Sequence, residues 1–178
     1  MKILKNELEN ELNIRTEMDY PQVGVEFIDI TPLTLDKDVF KEIIDKFVVE
    51  LKDKEIDYVI GPEARGFIFG SCVANELGIG FIPVRKKGKL PPSTVVASFT
   101  YQKEYGEDYL ELPKLVGENY SEKRFYIIDD IYATGNTIKA VEKAVKDLGG
   151  IVVGSGVVIN IKELNDRDIF SLIDINEN

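Results

Sequence analysis

An α/β fold, with a central, mostly parallel sheet flanked by helices, is predicted by three features of this 178-residue chain. Short β-branched and aromatic runs alternate with helical apolar stripes, the order that produces parallel strands joined by right-handed crossovers. The run Ile151 to Ile161 is almost continuously apolar, as expected of a strand covered by helices on both faces. Two strand ends lead through polar, glycine-bearing loops into helices, at Gly61 to Gly66 and at Asp129 to Thr137. Ligands of such sheets sit at the carboxyl ends of the strands.

The length and the 44% hydrophobic content suit one domain, 1–178, with a full-sized core. A formal charge of −10 argues against a nucleic-acid partner held by general electrostatics, so an anionic ligand would need a local basic cluster. The chain has no apolar run of transmembrane length and no leader-like N-terminus, so no membrane partner is expected and the expected setting is cytoplasmic. Cys72 is the sole cysteine and there is no histidine to activate it, which favours a packed core thiol over a nucleophile. No internal repeat or low-complexity tract is present.

Leu4, Leu8 and Leu12 fall on one face of a short expected helix. Tyr20 to Leu33 mixes turn residues with an apolar segment and reads as an irregular cover, in which Phe27 could either pack or stack on a planar base. Phe40, Ile43, Ile44, Phe47, Val48 and Leu51 recur at helical spacing. Tyr58-Val59-Ile60 is a strand, and Phe67 to Leu77 a helix stopped by Gly78. Between them Arg65 could fork onto phosphate or pair with Glu63. Phe81 to Val84 is a further strand, although Pro83 argues against full pairing.

Arg85, Lys86, Lys87 and Lys89 crowd into RKKGK, either a pyrophosphate clamp or a solvated basic turn. Pro91 to Thr94 cannot be a regular strand or helix, and Ser98 to Tyr105 and Asp108 to Leu112 read as two strands joined around Gly106, a flap. Phe125 to Ile128 is a strand expected to stop at Asp129 and Asp130. Ala133-Thr134-Gly135-Asn136-Thr137 then opens a helix that carries Ile138, Val141, Val145 and Leu148 and ends at Gly149-Gly150. A helix N-terminus offers unpaired N–H groups to a phosphate, and the neighbouring carboxylates suit ribose hydroxyls or hydrated magnesium. The nucleotide P-loop string and the Gly-x-Gly-x-x-Gly fingerprint are both missing. Beyond Asn165 the chain becomes polar and is expected to close the sheet edge.

Four segments, GVEFIDITPL (Gly24 to Leu33), GPEARGFIFG (Gly61 to Gly70), VRKKGKLP (Val84 to Pro91) and IIDDIYATGNT (Ile127 to Thr137), resemble the type I phosphoribosyltransferase family. The resemblance runs from Tyr20 to about Phe170, and the second and third segments point to the adenine branch of that family. It implies the type I phosphoribosyltransferase fold, with a small hood mainly from 13–35 and C-terminal residues and a flexible flap at about 88–112. The implied substrates are adenine and 5-phosphoribosyl 1-pyrophosphate, with AMP and pyrophosphate as products. Magnesium (Mg2+) is expected mainly through the substrate and water, and a homodimer is implied. A different base, or a regulator that only senses the phosphoribosyl donor, are the alternatives.

Residue roles follow from the same resemblance. Ala133, Thr134, Gly135, Asn136 and Thr137 would bind the 5′-phosphate, and Asp129 and Asp130 the ribose hydroxyls. Arg65, Arg85, Lys86 and Lys89 match positions that grip pyrophosphate, some of them across the dimer interface. Phe27 would stack on the base with Ile161 opposite, and main-chain groups around Glu26 and Ile28 would read its edge. Glu104 matches a flap glutamate that helps protonate the base, with Tyr105 beside it; Glu104 and Arg65 are the implied catalytic residues. The chain departs from the family at Val23, Ile28, Asn136 and Asn160, where proline, arginine, glycine and glutamate are usual. Asparagine tolerates left-handed backbone angles, so Asn136 is expected to preserve the loop.

Overall fold

A computed structural model describes residues 2–4, 14–103 and 106–176 of the chain. In chain order its elements are β1 (Lys2–Leu4), β2 (Arg15–Met18), β3 (Glu26–Asp29), α1 (Thr31–Leu35), α2 (Lys37–Leu51), β4 (Tyr58–Pro62), α3 (Arg65–Leu77) and β5 (Gly80–Lys86). A 3-10 turn, Pro92–Thr94, leads into β6 (Val95–Lys103) and β7 (Gly106–Pro113). The remaining elements are β8 (Arg124–Tyr132), α4 (Asn136–Asp147), β9 (Ile151–Ile161) and β10 (Phe170–Asn176).

The helices form where the apolar stripes lie. The Asp36 carboxylate starts α2 by accepting from the Asp38 and Val39 N–H groups at 2.9 and 3.2 Å, which satisfies two of the donors that a helix start leaves unpaired. Ile43, Ile44, Phe47 and Leu51 of α2 are buried, while Lys41 and Asp45 pair on its outer face. Gly78, at φ 69°, ends α3.

Strands β1, β10, β9, β8, β4 and β5 run parallel in that spatial order, with β7 and then β6 added antiparallel beyond β5. Alternation along β8 divides the core between the two faces. Tyr126 and Ile128 join Phe47 and Phe69 on one side, and Phe125 and Ile127 join Val141 and Val145 of α4 on the other. Pro83 is accommodated because β7 reaches only Arg85 and Lys86 of β5, so one flank of Pro83 has no ladder partner.

Several elements differ from expectation. Leu4 belongs to strand β1, and Leu8 and Leu12 lie outside the described residues. The expected irregular cover, Tyr20 to Leu33, contains strand β3, paired antiparallel with β2 just before it, and the start of the short helix α1. Phe170–Asn176, in the polar stretch expected to close the sheet edge, is a strand between β9 and the edge strand β1, with Ile173 and Ile175 buried. The two strands expected in the flap are present, as the antiparallel pair β6–β7. β8 does not stop at Asp129 but continues to Tyr132, because the eleven residues of β9 carry partners that far: Asp129 pairs with Val157, Ile131 with Ile159, and Tyr132 with Asn160. No helix of the described residues is long and apolar enough to cross a membrane.

Phe47 is fully buried, 5.4 Å from the Phe170 ring. Phe47→Ala is expected to cost about 3–5 kcal/mol of stability, read as a lowered midpoint in urea denaturation.

Candidate active site

The site begins where two strands differ in length. β8 pairs with β4 only through Ile127, while its pairing with β9 continues to Tyr132. Asp129 and Asp130 therefore sit on a stretch paired on one side, above the crevice between β4 and β8. The chain leaves β4 toward β5 on one side and β8 toward β9 on the other, so this is a topological switch point of the sheet. Gly66 at the start of α3 lets that helix close on the crevice: a Cβ there would lie 3.0 Å from Asp129 Oδ1 and 2.8 Å from Pro62 Cδ.

Asp130 is buried, and Arg65 answers its charge. Arg65 Nε is 2.7 Å from Asp130 Oδ2, an ion pair whose alignment falls short of a hydrogen bond. Arg65 Nη1 donates to the Ile28 carbonyl at 3.2 Å, and the guanidinium carbon stands 5.2 Å from the Phe27 ring centroid. Arg65 thus joins α3, β8 and the β2–β3 hairpin, and its partner is Asp130 rather than Glu63. Burial, then the charge of Asp130, pushes Asp129 well above the usual aspartate pKa; Asp129 is only half-buried, so water moderates that rise. Burial also raises Asp130, against the pull of Arg65.

Beside the acid pair lies a cavity of about 270 Å³, lined by Arg65, Asp129, Thr134, Gly135, Asn136 and Thr137 among others. Gly135 precedes α4 at φ 75°, and a Cβ on it would lie 2.0 Å from the Tyr132 ring and hydroxyl. The left-handed residue of the loop is therefore Gly135. Asn136, which the sequence places under that demand, is the first residue of α4 and does not have positive φ. Lys139 Nζ donates to the Thr134 carbonyl at 3.0 Å, adding positive charge beside the loop.

A second cavity, of about 670 Å³, runs between the hairpin and the ends of β8 and β9. Phe27, Ile28, Ile131 and Ile161 give it apolar walls, and Glu26 joins the lining. Arg65, Ile131, Ala133 and Thr134 line both cavities, which therefore adjoin. One chamber is suited to a phosphorylated sugar and the other to a flat, apolar ring.

The basic segment is placed differently. Neither Arg85, Lys86 nor Lys89 lines either cavity. Glu63 holds two of them: its Oε2 accepts from Arg85 Nε at 2.9 Å and from the Lys86 N–H at 2.8 Å. Burial would raise the pKa of Glu63, but the Lys86 N–H and the Arg85 guanidinium outweigh it and keep the carboxylate below its usual value. Glu104 and Tyr105 lie outside the described residues. Sequence reasoning missed Tyr101 and Gln102 of β6, which line the smaller cavity. Their only signal was their place just before the flap tip.

Among the described residues no group of three or more histidine, cysteine, aspartate or glutamate side chains could hold a metal ion. The acid pair offers Asp129 on the cavity, its neighbour being engaged by Arg65. This set suits a divalent cation that takes its other ligands from water and a polyphosphate.

Two outcomes follow from this geometry. Gly135→Ala is expected to displace Tyr132 and strain the loop, lowering stability by roughly 1–3 kcal/mol in chemical denaturation and abolishing phosphate-ligand binding in calorimetry. For Asp129, a raised pKa in the folded state means that its stabilising contribution is complete below the unfolded value of about 3.9 and is lost as pH rises through the folded value. The denaturation midpoint of Asp129→Asn should therefore gain on that of the unsubstituted protein as pH rises above the ordinary aspartate range.

The phosphoribosyl transferase domain family matches residues 34–177. An adenine phosphoribosyltransferase of Clostridium acetobutylicum is 47% identical over 156 residues, covering 88% of each chain. The crystal structure of adenine phosphoribosyltransferase from Thermoanaerobacter pseudethanolicus superposes with a TM-score of 0.82 at 40% identity, covering 93% of this chain and 98% of that one. The enzyme from Saccharomyces cerevisiae, solved with adenine and an imino-alditol bisphosphate, gives a TM-score of 0.79 at 32% identity, covering 94% and 99%. With this agreement in sequence, fold and extent, the chain belongs to the adenine phosphoribosyltransferase family.

Proposed function

We propose that the protein transfers the 5-phosphoribosyl group of phosphoribosyl pyrophosphate to adenine, forming AMP and pyrophosphate as a purine-salvage reaction. The observation that carries this reading is the pair of adjoining cavities with Arg65, Ile131, Ala133 and Thr134 common to both. A donor and an acceptor bound in them meet across the loop at Ala133 and Thr134.

In the transfer the C1′–O bond to pyrophosphate breaks with its electron pair leaving on oxygen, a base nitrogen forms the new bond to C1′, and that nitrogen releases its proton to solvent. The sugar passes through a cation-like state. Thr134 to Thr137 hold the 5′-phosphate with the N–H groups and positive dipole end of α4. Asp129 accepts from the ribose hydroxyls, and its charge favours the sugar cation. Arg65, while paired with Asp130, offers its guanidinium charge to the leaving pyrophosphate from the wall of the cavity.

Phe27 and Ile161 enclose the base, and main chain around Glu26 and Ile28 reads its edge. Arg85, Lys86 and Lys89 serve pyrophosphate from outside these cavities, and Glu104 and Tyr105 act from the flap, Glu104 aiding base protonation. Asp129 is the residue that would hold a magnesium ion, mainly through water and the substrate, and the ion would supply positive charge against the pyrophosphate. The hood and a homodimer belong to the same proposal and rest on the family resemblance; the cytoplasmic setting belongs to it as an expectation from the sequence.

Purified protein supplied with phosphoribosyl pyrophosphate and magnesium should form AMP from adenine and little product from guanine or hypoxanthine. Turnover restricted to another base would overturn the choice of acceptor, and none with any base would overturn the transferase reading. Arg65→Ala should lower kcat/KM for phosphoribosyl pyrophosphate by roughly a hundredfold. An unchanged value would remove Arg65 from the reaction.

A further inference from the structure

Asn165 follows the turn Lys162–Leu164 after β9 and touches the site through one side chain. Its Nδ2 lies 2.9 Å from the Ala133 carbonyl, 2.9 Å from the Ile161 carbonyl and 3.0 Å from Asn160 Oδ1. Two N–H hydrogens thus serve three oxygens, and this ring of acceptors fixes which end of the carboxamide faces them. Asn165 Oδ1 accepts from the Arg167 N–H at 3.2 Å, and the Arg167 guanidinium forks onto Glu142 of α4. A three-residue segment therefore grips the phosphate loop from both sides, on Ala133 at its start and on α4 after it. Asn160, fully buried, has no other partner for its Oδ1 among the contacts described, and its Nδ2 is unpartnered.

The carbonyl and N–H of a trans peptide point in opposite directions. Drawing the Ala133 carbonyl onto Asn165 turns the Thr134 N–H the other way, and Ala133 and Thr134 line both cavities. Ile161, whose carbonyl shares the same amide, is a wall of the larger cavity.

We propose that Asn165 is a positioning residue for the transfer: it holds the Ala133–Thr134 peptide so that the Thr134 N–H faces the 5′-phosphate, and through Ile161 it fixes the base-pocket wall relative to that phosphate. The assignment rests on the phosphoribosyl-transfer reading. Neither residue of the Asn160–Asn165 pair touches the reacting atoms. Both act through the loop.

The test compares Asn165→Ala with Asn165→Ser. Serine keeps a short acceptor for the Arg167 N–H but cannot span to Ala133, so it preserves the local turn and removes the tether. Both variants should raise KM for phosphoribosyl pyrophosphate about tenfold, the worth of one well-made hydrogen bond, while kcat changes less than about threefold. Amide exchange at Thr134 to Thr137 should quicken about tenfold, with Phe125 to Ile128 unchanged. A merely structural role would instead lower the melting temperature and quicken exchange along β8 with KM unaltered, and that result overturns the proposal. So would loop exchange and KM equal to those of the unsubstituted protein. The exchange measurement needs no substrate, so lack of turnover in the unsubstituted protein counts against the transfer reading, and unchanged loop exchange counts against Asn165.

Discussion

The ion pair between Arg65 and Asp130 is the contact on which the rest of the site depends. A carboxylate as buried as Asp130 is costly unless a cation answers it, and Arg65 does so at 2.7 Å. The same guanidinium bonds the Ile28 carbonyl and faces the Phe27 ring. One side chain therefore satisfies the acid at the end of β8 and anchors the hairpin over the second cavity. Because Arg65 opens α3, the helix that packs beside β4, the anchor is carried by the rigid part of the fold.

The acid pair needs that anchor because of strand length. β4 stops pairing at Ile60 with Ile127, and β8 goes on beside β9 alone. A strand with one free flank gives its carboxylates room on the cavity side, at the point where the sheet changes direction. Asp129 and Asp130 then part company: Asp129 stays half-buried on the cavity, and Asp130 is sealed against Arg65. Adjacent residues of like charge acquire different work from their neighbours alone.

The family, the α/β class, helices α2, α3 and α4 and the glycine-bearing loop before α4 were legible in the chain. Helices α2 and α4 carry stripes wide enough to specify their buried faces, and Gly78 marks the end of α3. The hairpin β2–β3 was not legible, because its strands are four residues each and alternate too briefly to register. β10 was hidden because its acidic and polar residues alternate with Ile173 and Ile175, and only the neighbouring β9 gives that alternation a buried side. For Asn136 the reason shifts by one residue: the left-handed position is Gly135, where the Tyr132 ring leaves no room for a side chain, and Asn136 enters α4 with no such demand on it.

The sequence by itself determined where strands and helices alternate, which loop opens a helix N-terminus, and which residues carry charge near it, since these depend on local periodicity and residue chemistry. Tertiary structure alone decided the partners. It assigned Arg65 to Asp130 and Glu63 to Arg85, left the basic segment outside the two cavities, and brought Asn165 onto Ala133. Those pairings join residues between 22 and 65 positions apart. No spacing rule reaches so far, because the distance between such residues is set by strand order and strand length.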